Sequence, residues 1–205
     1  MRLPHNIDIS IFDGDNKYGI PAIKRQEISV SGAIPFNYVM SSKKGFEKTV
    51  HCFLDDYQIE RLWNRPEKYI NHLKKFSSVC SPDYSLYLDM PPATQIFNTY
   101  RSRWCGRFWQ ENGLNVIPTI SWSDEKSFEF CFMGIEKRST IIISSMGVLK
   151  SATRLFRRGF VEMIERIEPK KILWYGNKID GIESNLIQYL NPYFRRFEDG
   201  RTRGK

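Results

Sequence analysis

The chain has 205 residues and a formal net charge of +8, and it is 41% hydrophobic and 14% aromatic. That length supports one domain with its own core, and the composition excludes a disordered chain or a small disulfide-stapled scaffold. No run approaches membrane length and no basic stretch followed by an apolar one opens the chain, so a cytosolic protein without a membrane partner is expected.

Residues 1–32 read as an irregular N-terminal segment, with breaks at Gly14 and at Gly19 to Pro21. A single α/β domain is expected over 33–194, followed by a basic tail over 195–205. Ala33–Tyr38 and Thr49–Leu54 are the first apolar runs of strand type. A helix is expected from Tyr57 to Phe76, divided at Pro66, which has no N–H to donate at an interior turn. Ser78–Leu88 returns to extended backbone, broken at Pro82 and Asp83. Pro91 and Pro92 introduce a long helix that runs to Asn112 and stops at Gly113, with Phe97, Tyr100, Trp104 and Phe108 as its apolar stripe.

Asn115–Trp122 is the next strand, and Pro118 inside it demands a bulge or a free edge. Ser123 or Asp124 caps a short helix ending at Gly134. Thr140–Ser145 is a continuous β-branched run of the kind buried in parallel sheets. Ser151 or Thr153 caps a helix that Pro169 stops, Lys171–Tyr175 is read as the last strand, and Ser184–Phe194 as a final helix. Such alternation specifies an α/β fold with a mostly parallel sheet and right-handed crossovers. Polar residues follow nearly every strand, which favours a partial or irregular TIM-barrel-like arrangement over an open sheet.

In parallel α/β folds the site lies at the carboxyl ends of the strands. There the sequence places Asp83, Asp89 and Asp124 as candidate catalytic carboxylates, and Ser144 and Ser145 in a turn that has the composition of a small anion nest. Arg101, two turns into the long helix, is a candidate for binding phosphate or carboxylate through its planar fork. Aspartate and serine after a strand are also what helix N-caps require, which accounts for Asp55, Asp56, Ser123 and Asp124 without a reaction. Asp83 and Asp89 lack that explanation, because Pro91 and Pro92 separate them from the helix body.

The net charge has two readings, solubility or a polyanionic partner, and DNA or RNA is the partner it points to first. Arg103, Arg107, Arg157 and Arg158 are the candidate nucleic-acid contacts, interleaved with Trp104, Phe108 and Trp109. A host protein is the other partner considered. The three histidines lack ligand spacing, and Cys52, Cys80, Cys105 and Cys131 form no C-x-x-C pair, so reduced buried thiols and no metal site are expected. Phosphate-loop, dinucleotide-fingerprint and nucleophile-elbow motifs do not occur, and no cofactor is assigned.

The phrases KYGIPAIK, IPFNY, DDYQIERLWNRPEKY, SPDYSLYLDMP, NTYRSRW, VIPTISWSDEKSFEFCF and ILWYG are long and specific. Through them, residues from about Lys17 to Gly176 resemble an uncharacterised bacterial and phage family, domain of unknown function 4417. The resemblance implies a phage or mobile-element context and an accessory protein, and it transfers neither an activity nor a site residue. An enzyme acting on a nucleotide or another phosphate-bearing substrate is the alternative the strand-exit carboxylates suggest. A phage protein that inhibits a host factor or sequesters a small molecule is the third.

Overall fold

The structure, a computed structural model, describes residues 5–190. The basic tail expected over 195–205 lies outside the described residues. Strands β1 (Ala33–Pro35), β2 (Thr49–His51), β3 (Ser78–Cys80) and β4 (Val116–Ile117) form one parallel sheet in that order. Strands β5 (Thr140–Ser144), β6 (Lys171–Tyr175) and β7 (Ile187–Leu190) form a second, also parallel. The helices are α1 (Asp56–Asn64), α2 (Ile70–Leu73), α3 (Pro92–Glu111) and α4 (Thr153–Ile167).

Pro118 accounts for the division into two sheets. Ile117 faces β3, since its carbonyl accepts the Ser81 N–H at 3.0 Å, so Pro118 faces β5. Its carbonyl takes the Ile142 N–H, and Ile120 donates back to Ile142 O, both at 2.9 Å. Proline has no N–H to return, so the β4–β5 junction is a short bridge rather than a ladder. On the other side the ladder is rerouted through side chains: Thr119 N–H donates to Ser81 Oγ (2.9 Å) and Thr119 Oγ1 to Ser81 O (2.5 Å).

The joined strands curl on themselves. In a flat sheet β2 and β6, four strands apart, would lie roughly 19 Å from each other. Instead the rings of His51 and Tyr175 are 4.2 Å apart and those of Phe53 and Tyr175 5.2 Å. Gln188 on β7 donates to Val30 O, just before β1, at 3.1 Å. The interior of this barrel-like sheet holds Cys80, Ile117, Ile142, Leu173 and Leu190. Outside it, α1, α2 and α3 cover β1–β4, while α4 covers β5 and β6.

Pro66 does divide the first expected helix, which continues after α1 as a 3-10 turn (Pro66–Tyr69) and α2. Gly113 follows α3 with φ +80°, as a C′ residue should. Two expectations are corrected. Residues 187–190 are strand β7 rather than part of a helix over Ser184–Phe194, of which 191–194 lie outside the described residues. Lys171–Tyr175 is therefore not the last strand. Also, the buried face of α3 is not the expected stripe: Trp104 and Phe108 are buried but Phe97 is exposed and Tyr100 half-buried, while Gln95, Asn98, Ser102, Arg103 and Cys105 are buried. The segment before β1 lies across it: Trp104 Nε1 donates to Ser10 O at 3.1 Å and Gln110 Nε2 to Lys24 O at 2.7 Å. A Cβ on Gly106 would come within 2.4 Å of Ile23. All four cysteines are free and buried, and burial holds their thiols well above the ordinary range.

Candidate functional site at the strand exits

The chain beyond β3, β4 and β5 encloses a cavity of about 600 Å³. Asp83 and Asp89 enter it from the loop after β3, Ser121, Trp122 and Ser123 from the chain after β4, and Ser144 from the end of β5. Leu155 and Phe156 of α4 complete one wall. A second cavity of similar volume lies at the opposite ends of the strands, between Glu27 and Lys170. Those two residues form an ion pair at 2.7 Å, and the Glu27 carboxyl is held below its usual range chiefly by its hydrogen bond from Lys170. The strand-exit cavity is the one that holds a carboxyl group displaced toward neutrality.

That group is Asp83. Its carboxyl is pushed up from 3.8 to about 7, first by burial. The Ser121 hydroxyl bonded to it opposes the shift, the Asp56 carboxylate adds to it, and the Arg103 guanidinium opposes it more weakly. Residue Asp83 is only partly covered, since its loop opens into the cavity.

The loop carrying Asp83 and Asp89 is held from two helices. Asp56 of α1 accepts both Ser85 N–H (3.1 Å) and Ser85 Oγ–H (2.9 Å). From α3, Asn98 Nδ2 donates to Ser85 O at 2.7 Å, and Gln95 Nε2 to Tyr87 O and Met90 O at 3.1 and 3.0 Å. Arg101 stands behind Asn98. It donates to Asn98 Oδ1 at 2.7 Å and to both oxygens of Glu60 at 2.8 Å, with its guanidinium 3.9 Å from the centre of the Tyr84 ring. Its fork is thus occupied by protein, and it is not among the residues lining the cavity. It supports the loop through Asn98, which bonds Ser85 O.

The other candidates separate in the same way. Asp124 accepts from the N–H groups of Lys126 and Ser127, capping a 3-10 turn (Glu125–Glu129), and lines a different cavity of about 350 Å³. Asp55, by contrast, makes no side-chain cap bond to α1, and Asp56 is committed to Ser85. Ser144 Oγ accepts the Met146 N–H at 3.0 Å on the cavity wall. Ser145 is buried, and its hydroxyl donates to Asn177 O at 2.6 Å and accepts from Trp174 Nε1 at 3.2 Å, tying the β5 and β6 exits together. Neither Ser151 nor Thr153 caps α4, whose N-cap position is Ala152 with no side-chain bond.

Of the arginines expected on nucleic acid, Arg103 is 2% exposed and spends its donors on Thr119 O (2.8 Å), Cys131 O (2.7 Å), Met133 O (3.1 Å) and Ser102 Oγ (3.3 Å). Arg107 bonds Ala22 O and pairs with Glu111. Arg157 and Arg158 are exposed on α4, and Arg158 pairs with Glu125. Among the described residues no cluster of histidine, cysteine, aspartate and glutamate is arranged to hold a metal ion, and no helix is long and apolar enough to cross a membrane.

Sequence reasoning missed the apolar mouth of the cavity. Tyr87, Leu88, Met146 and Leu149 line it and are 58%, 63%, 60% and 70% exposed. They lie in loops, where no periodicity marks them; exposure of large apolar residues from two adjacent loops is a signal only the fold supplies.

Trp122 forms part of the wall and rests on Gly159 of α4, with Phe156 4.7 Å away between ring centres. Alanine in place of a helical glycine ordinarily gains about 0.5–1 kcal/mol. Here a Cβ would fall 2.1 Å from Trp122 Nε1. Gly159→Ala is therefore expected to reverse the sign and cost roughly 1–3 kcal/mol in denaturant unfolding, with an altered tryptophan near-UV signal; a stabilised variant would contradict this packing.

No solved structure matches the chain. It is 39% identical to the Gene 1 protein of Mycobacterium phage L5 over 171 residues, covering 80% of this chain and 74% of that protein. It is 43% identical to the Gene 1 protein of Mycobacterium phage D29 over 129 residues, covering 62% of this chain and 48% of that one. The match to the D29 protein thus spans about half of that protein's length. The family described as Domain of unknown function (DUF4417) matches residues 12–193, which include every element from β1 to β7 and the three stretches after β3, β4 and β5 that line the cavity, and the chain belongs to that family.

Proposed function

We propose that the chain is an enzyme that carries out proton transfer on a small organic molecule held in the strand-exit cavity, with Asp83 as the general acid or base. The observation that carries this reading is a carboxyl group in a cavity of about 600 Å³ with a mostly apolar wall, where burial pushes its pKa up to about 7. A group whose pKa matches the ambient pH is present in both forms and has driving force in either direction. The volume suits a metabolite-sized ligand rather than a polymer. Ser121 orients the carboxyl, Asp89 sits exposed in the same loop, and Asp56, Asn98 and Arg101 hold that loop without entering the cavity.

The test is turnover. Purified protein and its Asp83→Asn variant are incubated at pH 7 with pooled small metabolites, and depletion is followed by mass spectrometry. A compound consumed by the wild type should be consumed about 10²–10⁴-fold more slowly by the variant. Equal consumption by the two proteins would refute the assignment.

A further inference from the structure

The cavity's charge and lining say more about what enters it, and this step rests on the reading of the strand-exit cavity as the functional site. Among its described lining residues two are carboxylates, Asp83 and Asp89, and none is lysine or arginine. That is unexpected in a chain with a net charge of +8. The nearest buried cation, Arg103, has its donors committed to carbonyl groups and a serine hydroxyl. Ser123 supplies a separate observation. It lines the cavity, is 4% exposed, and its hydroxyl has no hydrogen-bond partner among the described residues. An unpartnered buried hydroxyl can donate as well as accept, so Ser123 marks an unmet polar contact at this wall that an N–H can fill, while the selection for positive charge comes from the carboxylates. The rest of the lining is apolar and aromatic: Trp122 and Phe156 inside, Tyr87, Leu88, Met146 and Leu149 at the mouth.

We propose that the cavity takes an organic cation, a molecule with a protonated amine- or amidine-type nitrogen on an apolar or aromatic body, and that it rejects phosphorylated and carboxylated molecules. The nitrogen is held by Asp83 and Asp89, with Ser123 accepting a further N–H, and the body lies against Trp122 and the apolar mouth. The N-terminal end of α4 also borders the cavity through Ala152, and it favours anions. Its partial charge of about +0.5 is smaller than that of the Asp89 carboxylate and an Asp83 about half ionised near pH 7, and the turn before it takes up the Thr153 N–H. An anionic ligand in a partly desolvated site would face like charge at Asp83 and Asp89 with no lining cation to offset it.

The proposal carries a pH signature. Asp83 is faced by Ser121 from the chain after β4, Asp56 from α1 and Arg103 from α3, and the buried thiols of Cys52 and Cys80 lie within its field. Only its ionised form attracts the cation. With a midpoint of about 7, the ionised fraction rises about tenfold between pH 6 and pH 8.

Three probes with one body and three charges test this: tryptamine, indole-3-propanol and indole-3-propionate, titrated calorimetrically against the full chain and against Asp83→Asn. Tryptamine is expected to bind the wild type at least tenfold more tightly than the other two, with an affinity about tenfold higher at pH 8 than at pH 6. Asp83→Asn should lose both the preference and the pH dependence, while thermal unfolding shows that it is folded. If the alcohol or the acid binds as well as the amine, the charge class is overturned and the cavity reading stands. If none of the three binds up to millimolar concentration, both fall together.

Discussion

Replacing Asp83 by asparagine is expected to stabilise the protein at and above pH 7 while slowing the proposed proton transfer about 10²–10⁴-fold. The carboxyl of Asp83 is raised to about 7 in the folded chain from an ordinary 3.8, so the folded state holds a proton that the unfolded state has released. Stability therefore falls as pH rises from about 4 to about 7 and levels off above. Asparagine keeps an acceptor for the Ser121 hydroxyl and has no charge to desolvate. The interval from 3.8 to about 7 caps the gain at roughly 4 kcal/mol. Asp83 is only partly covered, and solvent screening brings the expected value to about 2 kcal/mol. Denaturant unfolding of both proteins at pH 5, 7 and 9 checks this. The gap should be smallest at pH 5, closing only near pH 4, and close to its full width by pH 7, with the variant above. Parallel curves would mean that Asp83 pays no desolvation cost in the folded state.

Arg103→Met is expected to give the largest loss. The guanidinium is buried and its pKa is pulled down to about 10 by that burial. It persists there because it satisfies Thr119 O just beyond Pro118, Cys131 O and Met133 O in the turns before Gly134, and Ser102 Oγ on its own helix. Methionine fills much of the volume and satisfies none of the three carbonyls. Each buried carbonyl left without a donor costs about 1–3 kcal/mol, partly offset because a charge no longer has to be buried. A net loss of roughly 3–5 kcal/mol is expected, read as a lowered denaturant midpoint. A loss below about 1 kcal/mol would show that the carbonyls find other donors. The same substitution removes the cation nearest Asp83 on α3, so the surviving folded fraction should titrate Asp83 at a higher pH.

These two residues also mark where the sequence is transparent and where it is not. Asp83 and Asp89 stand out because strand exits are where parallel folds gather side chains, and because two prolines set them apart from the capping positions of α3. The structure places both, with Ser144, on one cavity. Arg101 and Arg103 do not declare themselves. An arginine at the flank of an apolar stripe has the same local pattern whether that flank meets water or protein. What decides it is what the fold brings to that flank from far along the chain: Glu60 of α1 and the Tyr84 ring against Arg101, and the carbonyls of Thr119, Cys131 and Met133 around Arg103. Strand β7 escapes for a related reason. Leu186, Leu190 and Phe194 have helical spacing, and only the ladder to β6, with Ile172 opposite Ile187 and Tyr175 opposite Leu190, makes the segment extended. The run Thr140–Ser144, buried on both faces and continuously β-branched through Ile143, needs no such context. The curl of the sheet is not local at all. The polar residues after the strands favour it in the sequence, and His51 of β2 meeting Tyr175 of β6 across the interior displays it.

The most direct measurement is the titration of the Asp83 side chain itself, followed through its 13C carboxyl resonance and assigned by its disappearance in Asp83→Asn. A midpoint near 7 is predicted, because the carboxyl is desolvated and has the Asp56 carboxylate near it. A midpoint in the ordinary aspartate range, near 4, would contradict the acid–base role on which the proposed chemistry depends.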